Sequence, residues 1–214
     1  MIRASRLFTE ADRQEISAAV AQAEARTAGE IVPVVATASG RYPAAAPRAG
    51  MLGGLGLLAA TWLAFEGPAG PGLPVLLGGL LAGYALGAAA AAGLPVLRRA
   101  LASPREREDT VHAAARAALS TFRVRRTREA TGVVLYVSLL ERLVVVAADD
   151  AVEDQVDEAA FDPAADAVLS GLRAGEPARA LADGIRLVGE VLARHFPIRP
   201  DDVNELSNEL RLID

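Results

Sequence analysis

Six carboxylates within residues 149–158 are the side chains in this sequence best suited to bind a metal ion. They follow a β-branched run and stand where a helix is predicted to begin: Asp149, Asp150, Glu153, Asp154, Asp157 and Glu158. Because residues three and four apart share one side of a helix, most of these carboxylates would face the same way. Ca²⁺ and Mg²⁺ bind several oxygen ligands of this kind. The predicted ligands are Asp149, Asp150, Glu153 and Asp154.

An alternative interpretation of the same acidic segment requires no metal. Acidic side chains stabilise helix N-termini, and helices on a protein surface are often acidic. The segment also lacks the regularly spaced ligands of an EF-hand loop. A second polar group near the C-terminus either adds oxygen ligands or caps a last short helix. Its members are Asp201, Asp202, Asn204 and Glu205.

Four arginines that follow a predicted helix at 98–123 form the main cationic cluster of the chain. They are Arg123, Arg125, Arg126 and Arg128. Guanidinium groups bind phosphate through paired hydrogen bonds, so the cluster predicts contact with an anion, either a substrate phosphate or a lipid head group. Its position after a membrane-proximal helix favours lipid or an acidic patch on a partner. The alternative is a solvated turn whose arginines pair with Glu129 or Glu141.

The remaining reactive residue types form no recognisable catalytic motif. The chain has no cysteine, which excludes disulfides, a thiolate nucleophile and cysteine-ligated metal sites. His112 and His195 have no partner at catalytic or metal spacing, and His195 is expected to complement a helix C-terminus. Ser120 and Ser138 lack the motif that surrounds a nucleophilic serine. The net charge of −5 offers no support for nucleic-acid binding.

Two uncharged stretches lie on either side of Glu66, bounded by Arg48 and Arg98. Each is about long enough for a helix to cross a hydrocarbon core of about 30 Å. The alternative, a hairpin buried in a soluble core, would need a longer chain to wrap it. Small residues recur about four apart in GMLGG, GGLLAG and GYALG, which favours close packing of membrane helices. We therefore predict a transmembrane helical hairpin at 48–98 with the lipid bilayer as its surroundings.

Arginines flank the predicted hairpin on both sides, whereas the turn between its helices carries only Glu66. The flanking arginines are Arg41, Arg48, Arg98, Arg99, Arg105 and Arg107. The positive-inside rule therefore predicts that both termini lie in the cytoplasm. Residues 1–15 contain no apolar segment typical of a signal peptide. The expected localisation is the plasma membrane (the inner membrane of a bacterium), as a multi-pass protein.

The N-terminal part of the chain predicts a capped helix followed by a strand. Thr9 and Asp12 have the spacing of a capping box, and apolar residues then recur at helical intervals up to Gly29. A β-branched run at 31–37 predicts the strand. Because Pro33 cannot donate a hydrogen bond to a sheet, we expect this strand to lie at an edge or to carry a bulge.

The C-terminal part predicts two strands and several helices. The strands, at 132–139 and 142–148, are joined by so short a connection that they form an antiparallel hairpin. Further helices are predicted to begin at Asp150 and to span 164–173 and 177–195. Since the first helix and strand cannot bury their apolar faces alone, both chain ends should form one domain. The predicted divisions are 1–47 and 99–195 for this domain, 48–98 for the hairpin and 196–214 for a polar tail.

The order of these predicted elements, together with several short segments within them, resembles that of the TPM domain family, also called TPM phosphatases. The most specific are GEIV at 29–32, GVVLYVS at 132–138 with RLVVVAADD at 142–150, and ADGI at 182–185. The resemblance is greatest to a bacterial membrane-protein branch in which a transmembrane hairpin interrupts the domain. Members of that branch end in a tail similar to HFPIRPDDVNEL, which begins here at His195.

The resemblance implies an α/β fold, a small mixed sheet covered by helices, and two functional classes. Family members act either as accessory or assembly factors beside membrane complexes, or as acid phosphatases, with calcium binding reported. Chloroplast members are linked to photosystem II repair. Where the family usually has a segment rich in tryptophan and glycine, this chain has the arginine-rich FRVRRTREAT at 122–131. We therefore expect a membrane-anchored, non-catalytic binding module with a membrane-protein partner, the alternative being a phosphatase assisted by Ca²⁺ or Mg²⁺.

Overall fold

Three runs rich in valine and a short C-terminal segment form the four strands of one mixed sheet. The computed structural model describes residues 3–65, 70–122, 124, 130–198 and 204–214. The strands are β1 (Glu30–Ala36), β2 (Gly132–Ser138), β3 (Leu143–Ala148) and β4 (Arg211–Ile213), in the order β3-β2-β1-β4. β1 runs parallel to both β2 and β4, whereas β2 and β3 are antiparallel. The small mixed sheet confirms the predicted α/β class.

Helices cover both faces of this sheet. On one face lie α1 (Glu10–Glu24), α7 (Asp162–Ala174) and α8 (Pro177–His195), and on the other lies α5 (Pro104–Thr121). Successive strand residues point to opposite faces, so Leu135 packs beneath the first group whereas Val134 packs against α5. Every residue of β1 and β2 is buried, which explains why these strands are continuously apolar rather than alternating.

The prediction that the first strand lies at an edge is wrong. β1 has a neighbour on each side, because the C-terminal residues return to the sheet as β4. β4 is three residues long and begins opposite Val34, so Pro33 lies in the part of β1 that β4 does not reach. This placement explains how an internal strand accommodates a residue that cannot donate a hydrogen bond.

The end of the tail is fixed to the domain by polar contacts. The Ser5 hydroxyl donates a hydrogen bond of 2.5 Å to the Asp214 carboxylate, and the Thr37 hydroxyl donates one of 3.0 Å. The hydrogen bond from Ser5 lowers the pKa of Asp214. The predicted polar tail is thus partly ordered against the domain, as the added strand β4.

Local sequence signals set the ends of several elements. Thr9 and Asp12 form the predicted capping box at the start of α1, each side chain accepting from the other's backbone N–H. The predicted β2–β3 hairpin is confirmed, with Ser138 opposite Leu143 and Arg142 in the left-handed region at φ 56°. Gly175 ends α7 with φ 82°, a conformation in which a side chain would be strained.

The described residues divide into two compact units. One comprises 1–39 and 108–214 and contains the sheet, and the other comprises 40–107. The second unit is longer than the predicted hairpin at 48–98, because it includes the residues that lead into and out of the hairpin. The domain is therefore formed from both chain ends around an inserted helical unit.

The inserted unit is a helical hairpin formed by α2 (Ala45–Ala64) and α3 (Leu73–Gly93), followed by the short helix α4 (Pro95–Leu101). α2 and α3 pack backbone to backbone. A Cβ atom at Gly53 or at Gly83 would meet the backbone carbonyl oxygen of the other residue. The small residues therefore have the role predicted for them, which is to let the two helices approach closely.

The large apolar side chains of the hairpin point away from the helix–helix contact. Among the most exposed are Met51, Leu52, Leu63, Leu81 and Leu86. Within the described residues, α3 is the one helix that is both long and apolar enough to cross a membrane. α2 carries Arg48 and several glycines, which lower its hydropathy. The helical hairpin is present as predicted, and whether it crosses a membrane stays a prediction.

Candidate functional site

The acidic segment after β3 does not form the continuous helix predicted for it. Helix α6 (Asp150–Glu153) is only one turn long. Asp149 is buried and caps it, accepting a hydrogen bond of 2.9 Å from the Asp150 N–H. Asp157 begins a separate 3-10 helix at Glu158–Phe161, where its carboxylate accepts from the Ala159 N–H. Two of the six carboxylates are therefore N-caps, as the alternative interpretation of the segment expected.

The predicted metal ligands Asp149, Asp150, Glu153 and Asp154 all lie within the described residues. Among all the described residues, no group of three or more acidic or histidine side chains is arranged to hold a metal ion. The reason is local: the helix ends at Glu153, so the three- and four-residue spacing that would align the carboxylates does not continue. The proposal of a Ca²⁺ or Mg²⁺ site thus rests on the sequence pattern.

The predicted anion site lies outside the described residues, since Arg123, Arg125, Arg126 and Arg128 all fall in segments that the structure does not describe. The same is true of Asp201 and Asp202 in the tail. Their neighbours Asn204 and Glu205 are described and attach the tail to the domain. The Asn204 amide donates to the Glu24 carboxylate at 3.2 Å, and the Glu205 N–H donates to the Glu30 carboxylate at 2.9 Å. These two contacts take the place of the predicted helix capping.

A buried polar cluster lies where β1 and β2 end. Its members are Ser39, Tyr136, Ser138 and Glu141. The Ser138 hydroxyl donates to the Glu141 carboxyl, which also accepts from the Ser39 N–H at 3.2 Å. The Ser39 hydroxyl oxygen lies 2.7 Å from that of Ser138 and 3.3 Å from that of Tyr136. The cluster lies at the carboxyl ends of two parallel strands, a position where ligand sites often form.

The geometry of this cluster favours a structural role over catalysis. Ser138 and Glu141 are each only 1% exposed, so both groups are shielded from solvent. Burial raises the pKa of the Tyr136 phenol, with the Ser39 hydrogen bond acting in the opposite direction. The cluster joins the end of β1 to the β2–β3 turn.

Sequence reasoning missed this cluster because its members are distant in the chain. Glu141 entered the sequence analysis only in the alternative interpretation, as a partner of the arginines, and the signal for its burial is its position within a tight turn between two apolar strands. Ser39 follows β1, and nothing in its own neighbourhood in the sequence indicates contact with Ser138. The two residues meet only because β1 and β2 are adjacent parallel strands.

An open cleft runs along the outer edge of β3. It has a volume of about 270 Å³ and is lined by residues 145–148 of the strand. His112 and Arg116 of α5 line the cleft beside one face of the sheet, and Glu153, Glu158 and Phe161 line it beside the other. The His112 Nδ1 atom lies 3.7 Å from a Glu158 carboxylate oxygen. His112 thus has an acidic neighbour that sequence spacing did not reveal, whereas His195 lies at the C-terminal end of α8 as predicted.

Comparisons with known proteins identify a similar fold. No family model matches the chain, and no curated protein matches it. It is similar to the NMR structure of BA42 protein from the psychrophilic bacterium Bizionia argentinensis, with a TM-score of 0.58. The similarity covers 95% of this chain and 94% of the other, at 19% sequence identity. At that identity the likeness concerns the fold alone, so the resemblance to TPM domains stays a prediction.

Proposed function

We propose that this chain is a membrane-anchored α/β protein that binds a partner beside a membrane complex. In this proposal α2 and α3 lie in the bilayer, and the domain formed by 1–39 and 108–214 recognises the partner. The observation that carries the proposal is the orientation of the side chains in the hairpin. Glycine backbones lie between the two helices, while Leu63 and other large apolar side chains point outward, Leu63 with 79% of its surface exposed.

This arrangement is suited to lipid rather than water. In water, a helix pair is stabilised by burying its large apolar side chains between the helices. In a bilayer those side chains gain nothing from leaving the lipid, so close contact through small residues stabilises the pair instead. The length and composition of α3 (Leu73–Gly93) support the same conclusion.

The proposed orientation follows from the arginines that flank the hairpin. They lie on the side of both chain ends, so the domain and both termini would face the cytoplasm of a bacterial inner membrane. The absence of cysteine allows this to be tested with single substitutions. Gly72→Cys, at the start of α3, should react in intact spheroplasts with a maleimide that cannot cross membranes. Ser120→Cys, an exposed position on α5, should react only after the membrane is opened.

Two results would contradict the membrane proposal. The first is recovery of the full-length chain as a monomer in buffer without detergent. The second is equal labelling of both cysteines before the membrane is opened. Labelling of Ser120→Cys alone would reverse the proposed orientation while leaving membrane insertion intact.

A binding role fits the domain better than catalysis. Within the described residues, the Ser138 hydroxyl of the polar cluster is buried. The charged neighbour of His112 is the Glu158 carboxylate, not a serine. A stoichiometric partner should therefore copurify with the detergent-extracted chain from native membranes. A variant lacking 40–107 tests whether membrane anchoring is needed to reach that partner.

The alternative function is a metal-assisted acid phosphatase. No contact among the described residues supports it, so it rests on the family resemblance and the acidic segment. It predicts hydrolysis of para-nitrophenyl phosphate that requires added Ca²⁺ or Mg²⁺. That activity should vanish in Asp149→Ala and Asp150→Ala. No hydrolysis by well-folded protein over the range of both metals would remove this alternative.

A further inference from the structure

The cleft beside β3 follows the edge of the strand rather than one of its faces. Residues 145–148 are consecutive, and all four line the cleft. Because successive side chains of a strand point to opposite faces, an opening in contact with four residues in a row must run along the backbone edge. β3 is also the outermost strand of the sheet on this side. The cleft therefore gives access to the backbone hydrogen-bonding groups of β3.

The pairing of β2 with β3 identifies which of these groups point into the cleft. The Asp149 N–H donates to the Gly132 carbonyl oxygen at 2.8 Å, so this pair of residues is hydrogen-bonded across the hairpin. Hydrogen-bonded pairs alternate along an antiparallel ladder. The N–H and C=O groups of Val146 and Ala148 therefore point away from β2. Within the described residues no backbone hydrogen bond reaches these outward groups.

The two walls of the cleft differ in charge. His112 and Arg116 are four residues apart on α5 and line the wall beside one face of the sheet. The opposite wall combines the Glu153 and Glu158 carboxylates with the buried ring of Phe161. An extended chain places alternate side chains toward opposite walls. Acidic side chains would therefore complement the α5 wall, and apolar or basic ones the other.

We propose that the edge of β3 binds an extended segment of a partner protein, which adds to the sheet as a fifth strand. The partner segment has acidic residues at alternate positions, facing His112 and Arg116. This inference rests on the binding role proposed above and specifies its surface. Backbone hydrogen bonds to Val146 and Ala148 provide affinity, and the charged walls select the side chains, as in other cases of strand addition.

The contact between His112 and Glu158 has to open when the segment binds. The two side chains are 40% and 72% exposed, so their interaction across 3.7 Å is weak and easily exchanged. A carboxylate of the incoming strand replaces Glu158 as the neighbour of His112. A second copy of this chain fits the cleft less well, because its own β3 edge carries only valine and alanine at 145–148 and offers no acidic side chain to the α5 wall.

The test uses full-length protein in detergent micelles and a fluorescent heptapeptide of alternating glutamate and valine, capped at both ends. Fluorescence anisotropy should show saturable binding of this peptide but not of a scrambled peptide of the same composition. In a further peptide of the same sequence every backbone nitrogen is methylated. Because this peptide has no N–H group to donate to β3 in either strand direction, it should not bind.

Protein variants test the same surface from the other side. Arg116→Glu should weaken peptide binding about tenfold, the effect of turning a favourable exposed contact into a repulsive one. Arg173→Glu is the matched control, an exposed arginine on α7 away from the cleft, and should leave binding within about twofold of the original. Val146→Pro removes an outward N–H without removing a hydrogen bond to β2, and should abolish binding while the thermal unfolding transition remains.

Three outcomes would overturn the proposal. One is equal binding of the methylated and unmethylated peptides. Another is the absence of saturable binding to protein whose thermal transition is intact. The third is self-association that Val146→Pro abolishes, which would make the β3 edge an interface between copies. None of these outcomes depends on the cysteine-labelling experiment. Failure of the peptide-binding test therefore leaves the membrane proposal standing, and failure of the labelling test leaves the strand-addition proposal testable in detergent.

Discussion

The domain and the inserted hairpin are both built from apolar residues, but they place large and small side chains in opposite positions. In the domain, large side chains such as Leu135 and Leu181 are completely buried beneath the helices. In the hairpin the helix–helix contact is made by glycines, including Gly53 and Gly83, and large side chains point outward. The same residue types therefore have opposite structural roles in two parts of one chain.

If the hairpin lies in a membrane as proposed, the difference between the two regions follows from their surroundings. Water drives large apolar surfaces together, so a domain in water is stabilised by the size of its core residues. Lipid removes that driving force, and two helices then associate through close backbone packing. We therefore expect the domain to be sensitive to loss of side-chain volume, and the hairpin to be sensitive to its gain.

The largest effect is expected from truncation of the domain core. Leu135→Ala removes a fully buried side chain of β2 and should lower the free energy of unfolding by about 3 kcal/mol. Urea unfolding of the full chain in detergent, followed by circular dichroism, measures this change. Leu63→Ala, at an exposed position of α2, should leave the transition unchanged. A comparable loss in both variants would mean that the hairpin also depends on buried volume.

The next largest effect is expected from enlargement at the helix–helix contact. Gly83→Val places a side chain against the backbone of the facing helix and should destabilise their packing by about 1–3 kcal/mol. Spin labels on two introduced cysteines, one in each helix, would report a longer and broader distance distribution.

Gly78→Val is the matched control for the glycine experiment. Gly78 lies in the same helix, but nothing lies within 4 Å of the Cβ that would be added there. The distance distribution of this variant should stay unchanged. If both valine variants separate the helices, the cause is a general effect of valine in α3 rather than close contact at Gly83.

A smaller effect is expected from the buried polar cluster of the domain. Ser138→Ala removes the hydroxyl that donates to the Glu141 carboxyl and should lower stability by about 1–2 kcal/mol. Ser120→Ala, at an exposed site on α5, should have no measurable effect. Equal thermal transitions for all three proteins would show that the cluster contributes nothing to holding the β2–β3 turn.

The smallest effect concerns an ion pair at the base of the inserted unit. Arg48 lies 2.8 Å from the Glu106 carboxylate, and this hydrogen bond lowers the pKa of Glu106 below its ordinary value of 4.5. A group whose pKa is lowered by folding stabilises the fold above its unfolded-state pKa, and the contribution is lost as pH falls through the folded value.

The stability difference between the original protein and Glu106→Gln should therefore be constant above about pH 5 and shrink toward zero as the pH falls further. Its size should be under about 1 kcal/mol, because both side chains are partly exposed. Thermal unfolding between pH 7 and pH 3 measures it. A difference that grows on acidification would contradict the pKa shift.

Much of the local structure could be predicted because its signals lie within a few residues of each other. The capping box at Thr9 and Asp12, the β2–β3 hairpin and the end of α7 at Gly175 all follow from short-range chemistry. Prediction was weaker where a distant segment changes the surroundings of a residue. Pro33 predicted an edge strand, and only the return of the C-terminal residues as β4 made β1 internal.

The candidate sites show the same limit. The acidic segment was noted for its composition, but one turn of helix at Asp150–Glu153 was too short to align its carboxylates. The contact of Ser39 with Ser138, and that of His112 with Glu158, join residues far apart in the chain. No spacing rule finds such pairs, because spacing rules describe one element at a time.

The residue order alone thus established an α/β domain made from both chain ends, an inserted apolar hairpin, and where most strands and helices begin. These features depend on periodicity, capping and charge, all of which act over short distances along the chain. Folding decided the order of the strands, the burial of Glu141 and the open edge of β3 beside α5. Those features depend on which distant segments share the same space, and that is settled only when the whole core packs.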